Sequence, residues 1–176
     1  MPKKAAIVVV NPVNGLGLFQ YLEPFYESGI VYKTYAVGQV RDVKSNSGIL
    51  LQTDDIIGNL RGEEAEYDAL VFACGDAMPK FGLSMQLSEN QDLITVVKNF
   101  GLKRKLMVGH CVAALVFDIA AVAEGKRVAC HPLVKTAIKT AIATDEKAVI
   151  DGNLYTAQNE NYISAIMPTL LESLKE

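Results

Sequence analysis

The chain has 176 residues, half of them apolar, and its 17 basic and 20 acidic side chains are interspersed to a net charge of -3. That is enough apolar material for the core of one domain over 1–176, and it leaves no basic face to attract nucleic acid or an anionic membrane. Three cysteines, odd in number and not in metal-like pairs, fit a reducing, cytoplasmic setting in which thiols stay free.

In chain order, residues 5–10 (AAIVVV) are ended by Asn11-Pro12 and are too few for a signal peptide, so they read as a buried first strand. A first helix follows, with Pro24 either kinking it or marking its true first turn. Residues 30–37 are strand-like. Residues 40–43 and 49–52 flank Ser45-Asn46-Ser47-Gly48, whose residues favour a tight turn, and predict an edge hairpin. Residues 69–73 (ALVFA) read as a second buried strand, and 105–108 and 127–129 as two more. Pro132 opens a predicted helix whose apolar face is Leu133, Val134, Ala137, Ile138, Ala141 and Ile142. A final strand, 153–156, follows the turn Asp151-Gly152. Ile163, Ile166, Met167, Leu170, Leu171 and Leu174 then line a last helix that Pro168 bends. This alternation predicts an α/β fold of βαβ units around a mostly parallel sheet, and no stretch is long enough to cross a bilayer.

Ligands of such sheets bind outside the carboxyl ends of the strands. Every cysteine and histidine falls there: Cys74-Gly75-Asp76 after 69–73, Gly109-His110-Cys111 after 105–108, and Cys130-His131-Pro132 after 127–129. Gly109-His110-Cys111-Val112-Ala113 fits Gly-x-nucleophile-x-small between strand and helix, a nucleophile elbow. Small flanking residues permit the sharp turn, and the helix N-terminus favours thiolate at Cys111. The Val112 N–H serves as an oxyanion donor and the Gly75 N–H as the second. Against this stands the reading of Cys111 as a buried small hydrophobe. His131 is either a base near Cys111 or a cap on its own chain, whereas elbow geometry turns His110 away. Cys74 and Cys130 read first as packing residues and Asp76 as a turn residue. Because successive strand residues face opposite ways, Cys74 is a better resolving thiol than Cys130 if His131 faces Cys111.

Residues 67–75 (YDALVFACG), 109–113 (GHCVA), 126–132 (KRVACHP) and 149–156 (VIDGNLYT) resemble the ThiJ/PfpI superfamily over nearly the full length. The 20-position step from Cys111 to His131 is similar to the branch that contains the human parkinsonism protein. The resemblance implies a flavodoxin-like three-layer sandwich and a homodimer, with no cofactor and no metal. It also implies an oxidation-sensitive nucleophile at Cys111, the pocket histidine at His131 and oxyanion donors at Gly75 and Val112. The family's glutamate after the first strand falls at or near Gly17, and no acidic residue occurs before Glu23. Its absence weakens glyoxalase-like and deglycase-like activities, which need acid/base help. Val112-Ala113 replaces a smaller pair and predicts a narrower pocket.

Two functions compete. One is a cysteine-dependent hydrolase or lyase acting on a small carbonyl, amide or isocyanide. The other is a non-enzymatic oxidative-stress sensor or protective protein that uses oxidation of Cys111. A nucleotide-binding module prompted by Asn14-Gly15-Leu16-Gly17 ranks third, because Gln20 stands where a third glycine is needed. A zinc site from Cys74, Cys111, Cys130 and His131 ranks fourth, since the spacing matches no known signature.

Overall fold

Small and β-branched residues without polar alternation make a strand that must be covered on both faces, and β1 (Lys4–Val9) is. Ala6, Val8 and Val10 enter one core, while Ala5, Ile7 and Val9 enter another. The structure, a computed structural model, describes residues 2–76 and 78–175. Next come α1 (Gly15–Glu27), β2 (Val31–Ala36), β3 (Asp42–Lys44), β4 (Leu50–Gln52), β5 (Asp55–Ile56), the single turn α2 (Ile57–Leu60) and β6 (Ala69–Ala73). After α3 (Ser88–Leu102) follow β7 (Leu106–His110), α4 (Ala113–Ile119), β8 (Arg127–Ala129), β9 (Ile142–Thr144), β10 (Ala148–Asp151), β11 (Leu154–Ala157) and α5 (Met167–Lys175).

Seven strands form the main sheet in the order β10-β11-β7-β6-β1-β2-β5, parallel except for β10 at one edge. Leu93, Val96 and Phe100 of α3 cover one face with Val116 and Phe117 of α4. Leu18, Tyr21 and Phe25 of α1 cover the other with Leu170 and Leu174 of α5. The result is the expected α/β three-layer sandwich, and β6, β7 and β11 bring their carboxyl ends together beside the start of α1.

Several elements differ from their sequence reading. Residues 127–129 are a strand, but β8 pairs with β9 in a separate two-stranded parallel sheet. The helix expected from Leu133 to Ile142 is a 3-10 segment, Pro132–Ala137, followed by extended chain and β9. The physical reason is Asp118 on α4. Its buried carboxylate accepts from the backbone N–H groups of Lys139, Thr140 and Ala141 at 2.7–2.9 Å and from the Thr140 hydroxyl at 2.6 Å. Those donors are thereby withdrawn from any helix. The last helix is likewise split into a 3-10 segment, Glu160–Ala165, and α5, so Pro168 falls near the start of α5 rather than in the middle of a helix. Pro24 lies well inside α1, which instead starts at Gly15, where the Asn14 side chain accepts from the Gly17 N–H at 2.7 Å. The hairpin of β3 and β4 forms around residues 45–49 as its own small sheet, and the main sheet ends on β5 and β10, which the sequence reading leaves unassigned.

Candidate active site at the end of strand β7

β7 stops at His110 because Cys111 takes a left-handed backbone conformation, φ 59°, before α4 begins at Ala113. A non-glycine residue held there stores about 1–3 kcal/mol of strain, which surrounding bonds must offset. They do: the Cys111 N–H donates to the Ala157 carbonyl and the Cys111 carbonyl accepts from the His131 N–H, each at 3.0 Å. The turn also explains Gly109, where an added Cβ would stand 2.4 Å from the Ala113 Cβ and 3.3 Å from the Phe117 ring. Gly109 and Ala113 are small so that the helix can fold back across the strand it follows.

Cys111 is half-buried at the base of a cavity of about 450 Å³, which Asn14, Cys74, Gly75, Asp76, His131 and Glu160 also line. Gly75 is dictated by backbone, since its Cβ would lie 2.2 Å from the Pro12 carbonyl oxygen and 2.5 Å from the Val13 Cα. Among the described residues, neither the Gly75 nor the Val112 N–H has a backbone acceptor, and both reach the Cys74 sulfur. The thiol of Cys111 is lowered from its ordinary range chiefly by a hydrogen bond from Cys74, helped by the Val112 N–H. Burial opposes this, as do the charges of Glu160 and Asp76. Cys74 shows the reverse, pushed well up by the bond to Cys111 and by burial.

His131 lines the cavity, but its Nδ1 accepts from the Leu133 N–H at 3.2 Å. With Nδ1 accepting, the neutral ring carries its hydrogen on Nε2, which makes that atom a donor. His131 thus caps its own chain and also lines the cavity. Cys130 is buried in the core beside Cys111, and burial raises its thiol. Cys74, Cys111, Cys130 and His131 form no metal-binding cluster among the described residues.

His110 contributes to the cavity wall, but its side chain turns toward α1: the residue is 1% exposed and its Nδ1 lies 3.1 Å from the Tyr21 hydroxyl. Burial lowers it from 6.5 to about 4. Its Nε2 has no hydrogen-bond partner among the described residues, and a Cβ on Gly17 would stand 2.7 Å from that atom. A side chain at position 17 and this ring therefore exclude one another. Glu160 and Tyr21 escape the sequence reading. Glu160 follows β11 as Cys74 follows β6, so the same strand-end reasoning applied to 153–156 reaches it; nothing local marks Tyr21.

The sequence profile of the DJ-1/PfpI family matches residues 3–173. Protein ppBat of Bacteroides thetaiotaomicron is 54% identical over 175 residues, which is 99% of this chain and 100% of that protein. A crystal structure from the same organism superposes with a TM-score of 0.97 at 54% identity, covering 98% of this chain and 99% of that one. Drosophila melanogaster DJ-1beta, at 19% identity, gives a TM-score of 0.84 over 99% of this chain and 91% of its own. The last likeness concerns the fold.

Proposed function

The chain belongs to the DJ-1/PfpI family, and from that premise we propose that it is a hydrolase or lyase whose nucleophile is Cys111, acting on a small carbonyl, amide or isocyanide. The observation that carries this reading is the strained elbow: a lowered thiol faces a cavity beside two backbone N–H groups without backbone acceptors. In this reading the thiolate attacks the electrophilic carbon. Negative charge on the substrate oxygen or nitrogen then competes with the Cys74 sulfur for the Gly75 and Val112 N–H groups, and the His131 Nε2–H supplies a further donor. The lining carries Asp76 and Glu160 and, among the described residues, no lysine or arginine. That charge disfavours carboxylate and phosphate substrates and suits neutral or cationic ones.

A second reading, in which Cys111 senses oxidation without turnover, is favoured by Gly17, which brings no carboxylate to the site. Turnover screening of dicarbonyls, amides and isocyanides with wild type and Cys111→Ser separates the two. Activity lost in the variant supports the enzyme, equal activity in both removes Cys111 from it, and inactivity of both leaves the sensor. A homodimer and a cytoplasmic setting belong to the same proposal. Light scattering on the purified chain reads the first and cell fractionation the second; no described helix is long and apolar enough to cross a membrane.

A further inference from the structure

β6 and β7 run parallel with Phe72 opposite Gly109. Cys74 follows the end of β6 and Cys111 follows the end of β7 at its left-handed turn; both line the same cavity, and their thiols share a hydrogen bond. They also join the core that contains Phe72. Neighbouring parallel strands run about 4.8 Å apart, so residues that follow two adjoining strand ends start near the window of about 4.4–6.8 Å between Cα atoms that a disulfide spans. Both cysteines border the cavity, but Cys111 is only half-buried whereas Cys74 is 1% exposed. An oxidant entering the cavity therefore meets the Cys111 sulfur first.

We propose that Cys74 and Cys111 form a reversible redox-modification site, in which a hydroperoxide oxidises Cys111 and Cys74 converts the product to an intramolecular disulfide. The proposal rests on Cys111 being a reactive thiolate and on no organic substrate. In the first step the Cys111 thiolate attacks a peroxide oxygen, the O–O bond breaks, and the departing oxygen leaves as water or an alcohol after protonation. Cys111 is then a sulfenic acid. In the second step Cys74 loses its proton and attacks the Cys111 sulfur; the S–O bond breaks and hydroxide leaves with that proton as water. Two thiols have lost two electrons and the peroxide has gained them.

The surroundings favour the second step. The hydrogen bond that most raises the Cys74 thiol is the one it shares with Cys111. Once Cys111 is a sulfenic acid its thiolate no longer disfavours charge on Cys74, and the Gly75 and Val112 N–H groups remain to hold the Cys74 anion. A small thiol reverses the bond by attacking the accessible Cys111 sulfur, with Cys74 leaving into the same two donors; a second thiol then frees Cys111. While the disulfide stands, the nucleophile is withdrawn and shielded from irreversible oxidation.

The test is stoichiometric hydrogen peroxide on the full chain, then thiol alkylation and peptide mapping without reduction. The expected result is a cross-linked Cys74–Cys111 peptide lighter by two hydrogens, parallel loss of both thiols, and full recovery with dithiothreitol. Cys130→Ser should give the same cross-link. With a further equivalent of peroxide, Cys74→Ser should carry Cys111 from the sulfenic acid on to a sulfinic acid that dithiothreitol does not reverse. Wild-type Cys111 over-oxidised beside unmodified Cys74, or a link from either to Cys130, overturns the proposal, and the wild-type map alone decides if Cys74→Ser does not fold. A chain that forms this disulfide yet turns over no substrate retires the hydrolase and keeps the redox site; the opposite pattern does the reverse.

Discussion

His110 and Cys111 are consecutive, yet the end of β7 sends them into opposite physical regimes. On the α1 face, His110 is sealed against Gly17 and Tyr21, and burial alone sets its protonation. On the cavity face, Cys111 is only half-buried, and its partners outweigh burial to lower the thiol. The contrast teaches that reactivity at this strand end comes from arranged donors rather than from the absence of water. The left-handed turn after His110 decides which side chain receives them.

The open face breaks most severely at Gly75. Gly75→Ala drives a methyl group into the Pro12 carbonyl and the Val13 backbone, which cannot yield as a flexible side chain can. We expect a loss of about 3 kcal/mol or more in urea melts, with slower alkylation of Cys111 as its neighbouring donor is displaced. An unchanged melt together with unchanged alkylation removes the close approach from the argument.

The sealed face breaks with acid. His110 falls from 6.5 to about 4 on folding, so between those values the unfolded chain holds the extra proton. This contribution is complete above pH 6.5 and is lost as pH falls toward 4, amounting to about 3 kcal/mol. Urea melts across that interval should show the slope in wild type and a reduced slope in His110→Asn. Parallel slopes exclude His110 as the sensing group.

Tyr21→Phe sharpens the same comparison more gently. It strips the only hydrogen bond from the buried His110 ring among the described residues and should destabilise by about 1–2 kcal/mol. Cys111 lies on the other face, so its alkylation should not change; a change there shows that the two faces are coupled. Smallest in stability is Cys74→Ala, about 1 kcal/mol or less given the small volume removed. Its signature is in reactivity: without the Cys74 hydrogen bond, the pH midpoint of Cys111 alkylation should rise.

These contrasts also show what the sequence discloses. The elbow is legible because Gly109, Cys111 and Ala113 are near neighbours whose sizes encode one turn. The central strands are legible because burial on both faces removes polar alternation. Residues 133–142 mislead because their apolar spacing satisfies a helix, whereas the competing acceptor, Asp118, lies some twenty positions earlier. The meeting of Cys74 and Cys111 depends on β6 lying beside β7, and the protonated atom of His131 depends on a bond to Leu133. Neither that adjacency nor that hydrogen bond leaves a periodic trace in composition or spacing.

The two backbone bonds that clasp Cys111, one to Ala157 and one from His131, have a kinetic consequence. They join the elbow to the ends of two other chain segments, so the nucleophile's amide cannot open by fraying of its own helix alone. In hydrogen–deuterium exchange the Cys111 and His131 amides should belong to one slowly opening unit with the β11 end. Their protection factors should then fall together under mild denaturant, while the amides of the exposed β3–β4 turn exchange early. The lifetime of the strained turn is then set by cooperative opening of segments twenty or more residues away in sequence.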